Sequence, residues 1–328
     1  MKMRGVIQAA AGAAMALAFM AAPALAQNWP VKPVKLIVPF PAGGSADTLS
    51  RIVTQELQEK TGQAFVVENR TGADVEKVRA ATEAVAKAPP DGTTLLLTPS
   101  SIAIAPALYE KLTWDPVKDF APVTLLGSIP MVVVVHPAFP AQSLKELVAQ
   151  AKARPGQINY ASGGFGTTNH LAVELFKAQT EIDLVHVAYR GNPLAVVDVI
   201  GGHVPVFFDF VLTGAPHVRS GAVRALATTG AQRSSVLPDV PTAMEAGITG
   251  FEASTWFGVY APAGTPTEML TAISTQIVAV LATPAVKKRL ADLGLEPMQT
   301  GPAALGELTK SDLAKWGPII QKAGIKLE

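Results

Sequence analysis

The stretch VPFPAGGSADTLSR, residues 38–51, decides how the chain is read. It opens at the end of Val34–Val38, an apolar, β-branched run that reads as a buried strand. Two glycines follow. After them Leu49, Ile52, Val53 and Leu57 fall at helical spacing, until Gly62 takes the place of a helix-ending glycine. A glycine turn between strand and helix lets the backbone approach a ligand closely. The helix start supplies unpaired N–H groups and a partial positive charge, so such a turn can hold a carboxylate or phosphate without Lys or Arg.

The pattern recurs at INYASGGFGTTNHL, residues 158–171. Each loop follows a strand near the start of its own segment. Each carries glycines, small residues, a short polar residue (Asp47, Asn169) and a Leu that opens a helix. Strands and helices alternate on either side, with apolar runs at 124–129 and 131–136 separated by Pro130 and a capping-box helix start at Ser143 and Glu146. This predicts an α/β fold of two similar domains with largely parallel sheets. The chain after residue 260 reads as helices with no sheet of their own, which pack back onto the first domain. Domain 1 is then 27–128 with 254–328, domain 2 is 129–253, and two crossing strands near 127–131 and 251–258 join them. Ligands in open α/β sheets sit at the carboxyl ends of strands, so the two loops face each other across a cleft.

Residues 1–26 read as a signal peptide: Lys2 and Arg4, an apolar stretch from Val6 to Met20, and Ala24 and Ala26 before a cut at Gln27. This implies Sec export to the periplasm. The chain has no Cys, which excludes disulfides, thiolate chemistry and a lipid-bearing cysteine. With 27 Lys+Arg against 26 Asp+Glu, nothing points to nucleic acid. Several enzyme motifs also fail. Neither loop carries the Lys of a phosphate-binding loop, and the third glycine of a dinucleotide site is missing after Gly166. Gly43-Gly44-Ser45-Ala46-Asp47 lacks the last glycine of a nucleophile elbow. The five histidines show no metal-binding spacing, and His170 at a helix start reads as a structural hydrogen-bonding group. Asp209 is placed either to hold a water or ligand hydroxyl or to cap a turn.

FPAGGSADTLSR (40–51), VVENRTGA (66–73), PPDGTTLLL (89–97), INYASGGFGTTNHLAVELF (158–176), HVAYRGNPLAVVDVIGGHV (186–204) and WFGVYAPAGTP (256–266) occur in order. Together they resemble the Bug-type, TctC-like solute-binding proteins, the extracytoplasmic receptors of tripartite tricarboxylate transporters. The resemblance implies a type II periplasmic binding protein, two similar α/β domains with mixed sheets joined by two crossing strands, that closes on a small carboxylate, mono- or dicarboxylic, aliphatic or aromatic. It implies no cofactor, metal or catalysis, a monomer, and delivery to the large and small subunits of a membrane permease. By position, the first-domain site comprises Ala42, Gly43, Gly44, Ser45 and Asp47, with Ser100 and Ser101 on the floor unless they serve as a helix cap. The second-domain site comprises Ser162, Gly163, Gly164, Gly166, Thr167 and His170, with Asp209 nearby. Arg190 is expected in a structural salt bridge rather than as a carboxylate clamp, and Phe165 hints at aromatic ligands. A sensory receptor for a membrane signalling protein is the alternative. A hydrolase is less favoured, because no nucleophile beside a base is visible. Residues 74–79 depart from the family's glycine-rich pattern. They predict either an earlier helix start or a charged loop at the rim, where Glu76 would disfavour a bulky anion, and no family contacts are carried onto them.

Overall fold

The computed structural model describes residues 29–70, 75–322 and 324; the expected signal peptide lies outside them. The strands are β1 (Val34–Val38), β2 (Phe65–Asn69), β3 (Thr94–Pro99), β4 (Phe120–Val135), β5 (Asn159–Ser162), β6 (Val185–Ala188), β7 (Val206–Phe210), β8 (Arg224–Thr228) and β9 (Ser254–Pro262). The helices are α1 (Ser45–Thr61), α2 (Val75–Ala86), α3 (Ser101–Leu108), α4 (Leu144–Ala153), α5 (Thr168–Thr180), α6 (Asn192–Ile200), α7 (Val211–Arg219), α8 (Thr267–Leu281), α9 (Pro284–Asp292) and α10 (Pro302–Lys322).

One mixed sheet runs in the order β2-β1-β3-β9-β4-β7-β5-β6, with β8 also against β4. β1 is parallel to β2 and β3, and β5 is parallel to β6 and β7. The antiparallel pair β4 and β9 joins these two parallel sets. β4 is a single strand of 16 residues, not the two runs that Pro130 suggests. It pairs with β9 from Phe120 to Pro130, then with β7 and β8 up to Val135. Pro130 lies opposite Ser254, the first residue of β9, where one ladder ends and the next begins. A missing N–H costs little at such a handover.

The apolar run 131–135 lacks alternation because both of its faces are buried. Met131, Val133 and Val135 belong to one apolar cluster, and Val132 and Val134 to another. The second cluster extends from β1 and α1 across the sheet to α6 and α7.

The local signals act as predicted. α1 buries Leu49, Ile52, Val53 and Leu57, and ends where Gly62 turns left-handed and donates its N–H to the Gln58 carbonyl. Ser143 Oγ accepts the Glu146 N–H at the start of α4, while the Glu146 carboxylate accepts from the Gln142 N–H. The helical tail, expected on the first half, touches both halves. Trp316 and Ile320 of α10 meet Ile104, Leu108 and Leu171, and the Trp256 indole donates to Asp312 on α10 at 2.7 Å.

One element differs from the sequence pattern, and one of the two alternatives for residues 74–79 is seen. α7 contains Gly214 and Pro216, which lower helix propensity. Tertiary packing overrides this, because a Cβ on Gly214 would lie 2.8 Å from Val132 Cγ1. In the atypical segment, the helix begins at Val75. The Glu76 side chain lies outside what is described.

Gly127 is a demanding position in β4. Its φ of +147° is strained for other residues, and a Cβ would lie 2.7 Å from the Glu296 carbonyl oxygen. The chain at Glu296 is held there by two hydrogen bonds with the Ser128 backbone, at 2.9 and 2.8 Å. Gly127→Ala is therefore expected to cost about 2 kcal/mol or more, from backbone strain and overpacking. Urea unfolding should show a lower midpoint with an unchanged slope.

Candidate functional site

Two adjoining cavities open where the helices leave the carboxyl ends of the parallel strands. The inner one, about 60 Å³, is bounded by the first residues of several helices. These are Ser45 and Ala46 of α1, Ser101 of α3, Thr168 and Asn169 of α5 and Asn192 and Pro193 of α6, with Phe210 just before α7. Phe40, Pro41, Gly44, Pro99, Gly163, Thr167, Gly191 and Phe257 also line it, and among the described residues none in the wall is charged. Ser45 Oγ is buried in this wall with no hydrogen-bond partner among the described residues. The outer cavity, about 560 Å³, shares Phe40, Pro41, Ser101, Gly163, Thr167 and Gly191 with the inner one. It extends along Ile102, Leu108, Tyr109, Trp114, Phe165 and Tyr189 and includes Arg79 and Arg190.

The two halves meet closely around these cavities. A Cβ on Gly191 would lie 2.5 Å from Pro41 Cγ, and one on Gly166 would lie 2.1 Å from Leu108 Cδ1. Both glycines also have positive φ, so the approach and the turn both require glycine. Ser100 Oγ lies 3.0 Å from both Thr168 Oγ1 and Thr255 Oγ1, linking β3, α5 and β9 through three buried hydroxyls.

Gly44, Ser45, Ser101, Gly163, Gly164, Gly166 and Thr167 line the cavities, as expected. The other expected residues do not. Ala42 and Gly43 are exposed on the outside of their turn. The Gly43 N–H is turned to Asp47 Oδ2 at 2.9 Å. Asp47 faces Arg51, at 2.9 Å, instead of a ligand. Burial raises its pKa, but Arg51 and the Gly43 N–H outweigh burial and hold it below the usual carboxylate range. Ser100 spends its hydroxyl on the link between the halves. Arg190 has no ion pair among the described residues: its loop opens onto the outer cavity and leaves it exposed.

Ser162 and His170 sit behind the second loop and shape it. Ser162 Oγ accepts the Gly164 N–H at 3.0 Å and lies 2.6 Å from His186 Nε2. This is a serine beside an imidazole, but Ser162 is fully buried and lines neither cavity. His170 Nδ1 accepts the Gly166 N–H at 3.0 Å, and its ring stacks on His186 with centroids 4.0 Å apart. Burial lowers both imidazole pKa values, to about 3 for His170 and about 4 for His186. Both rings are therefore neutral near pH 7 and add no positive charge to the loop.

Asp209 is also behind the wall. Thr167 Oγ1 donates to Asn169 Oδ1, Asn169 Nδ2 to Asn192 Oδ1, and Asn192 Nδ2 to Asp209 Oδ1. Asp209 Oδ1 also accepts from Thr213 and the Phe210 N–H, while Oδ2 is buried without a partner among the described residues. Asn192 is thus the hub that ties the second loop to β7, and the sequence reading did not single it out. Its signal was present: a strand, then Tyr189-Arg190-Gly191, then Asn192-Pro193 opening a helix, is the same strand–glycine–helix pattern once more.

Burial pushes the Asp209 carboxyl up from 3.8 to about 7, against the hydrogen bonds from Thr213, Phe210 and Asn192. Between about pH 4 and pH 7 the folded chain keeps a proton that the unfolded chain has lost. This contribution to stability is therefore present at low pH and declines as pH rises through that window. Asp209→Asn should remove the decline, read as the difference between the variant and the wild type in urea unfolding at each pH.

The model of the tripartite tricarboxylate transporter family receptor matches residues 49–325. Protein BugT of Bordetella pertussis is 36% identical over 97% of this chain and 97% of its own length. The structure of R. palustris Rpa4515 with adipate superposes with a TM-score of 0.86 at 34% identity, covering 91% of this chain and all of the other. That of the periplasmic binding protein BugD superposes at 0.84 and 32% identity, with the same coverage. The fold is that of these periplasmic binding proteins, and the chain belongs to the tripartite tricarboxylate transporter receptor family.

Proposed function

We propose that the chain is a periplasmic receptor that captures a small carboxylate in the cleft and delivers it to a tripartite tricarboxylate transporter permease. The observation that carries this reading is the inner cavity, where helix starts converge with no charged side chain in the wall among the described residues. Unpaired N–H groups and aligned dipoles at such starts favour an anion. The buried, unpartnered Ser45 hydroxyl offers one more donor. Adipate bound to Rpa4515 supports a carboxylate as the ligand class.

Capture follows from closure. The loops come from opposite sides of β4 and β9, so an anion touching both loops contacts its full set of donors only when the halves are together. Its binding energy then favours the closed form over the open one, and that difference is what a permease can sense. An exported receptor fits the expected signal peptide and the periplasmic location of BugD.

The test is mass spectrometry of ligand released from purified protein, followed by thermal shift against a panel of carboxylates. A rise in melting temperature with at least one acid at millimolar concentration is expected, and no rise with any acid would sink the reading. Gly44→Val sharpens it. Gly44 has an ordinary φ of −78°, and the nearest heavy atom to an added Cβ is the Pro41 carbonyl oxygen at 3.4 Å. The fold should tolerate the change, with a melting point within about 3 °C of wild type. The new side chain fills the inner cavity, so affinity should fall by more than about tenfold in titration calorimetry. Unchanged affinity would remove this loop from the site.

A further inference from the structure

The outer cavity has a chemistry that the inner one lacks. It is about 560 Å³, far more than one carboxylate group fills, so a ligand anchored in the inner cavity has room to extend outward. Its lining holds two cations, Arg79 and Arg190, and no Asp or Glu among the described residues. One cation comes from each half: Arg79 from α2 and Arg190 from the loop between β6 and α6. The same lining carries the apolar side chains of Ile102, Ala105, Leu108 and Phe165.

Arg79 is the better placed of the two cations. It is half-buried, whereas Arg190 is exposed, so solvent and salt screen Arg79 less. Its guanidinium lies 5.2 Å from the centre of the Tyr109 ring, which lines the same cavity. An arginine backed by an aromatic face keeps its charge, and it gives up little further freedom when its N–H fork meets a carboxylate. Among the described residues no Asp or Glu lies within ion-pair distance of it.

We propose that the outer cavity is a second anion station, in which Arg79 selects ligands carrying a second negative group at the end of an apolar spacer. The proposal rests on the receptor reading above and adds to it the residue of this chain that recognises the far end of the ligand. Helix dipoles hold the first carboxylate, the apolar wall covers the spacer, and Arg79 pairs with the far carboxylate. Arg190 contributes less because solvent reaches it.

Titration calorimetry on the whole protein with adipate and hexanoate, acids of equal length that differ in one carboxylate, tests this. Wild type should bind adipate at least about tenfold more tightly than hexanoate, the effect of one well-formed charge-assisted pair. Arg79→Gln should bring adipate to the level of hexanoate and leave hexanoate within about twofold. Arg79→Lys should keep part of the preference, and Arg190→Gln most of it. Equal affinities for the two acids in wild type would overturn the second station while upholding the receptor reading. A preference that survives Arg79→Gln would overturn the assignment to Arg79. Binding of neither acid, together with no response to the carboxylate panel, would overturn both readings.

Discussion

The whole structure depends on β4 staying continuous through Pro130. Its first part pairs with β9 and its last five residues pair with β7 and β8, so one strand carries both parallel sets of the sheet. Every loop around the cavities is positioned relative to that strand. A break there would leave two α/β units with no fixed orientation between their glycine loops. The side chains explain why it holds. From Met131 to Val135 each residue is fully buried, alternately into one apolar cluster and the other, so neither face can turn to water. Burial at about 25 cal/mol per Å² on both faces outweighs the loss of one ladder donor at Pro130.

The cleft separates two ways of holding negative charge. The inner cavity offers helix dipoles and hydroxyls to the proposed anion, and the imidazoles of His170 and His186 behind the second loop are kept neutral by burial. An arginine there would bring its own desolvation cost, and it would need a partner whenever the ligand is absent. Helix starts avoid this problem, because their charge is partial and their orientation is fixed by the fold. The outer cavity is larger and closer to water, and there full charges on Arg79 and Arg190 are tolerated.

Much of this is legible in the sequence because it is written locally. The loops at 41–49 and 162–171, the faces of α1 and α4, and the return of α10 all follow from spacing and capping residues. What the sequence does not show is direction. Asp47, Ser162, His170 and Asp209 stand beside the loops in the chain, yet their side chains turn away from the cavities to brace them. Adjacency in sequence cannot separate a lining residue from a bracing one, since both sit at the same turn. Asn192 escapes for the opposite reason: its importance comes from Asn169 and Asp209, which are distant in sequence. Arg79 lies in the segment where the family pattern gives no guide, and only the placement of α2 brings it to the cavity.

The inner cavity has a consequence for how such a chain can change over generations. On the receptor reading its main donors are backbone amides, and no codon specifies an amide. Point mutations can obstruct that station, as a bulky residue at Gly44 would, but they cannot delete it. The outer wall is made of side chains, and each can be exchanged singly. If the receptor reading holds, a lineage built on this plan can drift from one acid to another by altering the far wall alone, while the carboxylate station stays in place at every intermediate step.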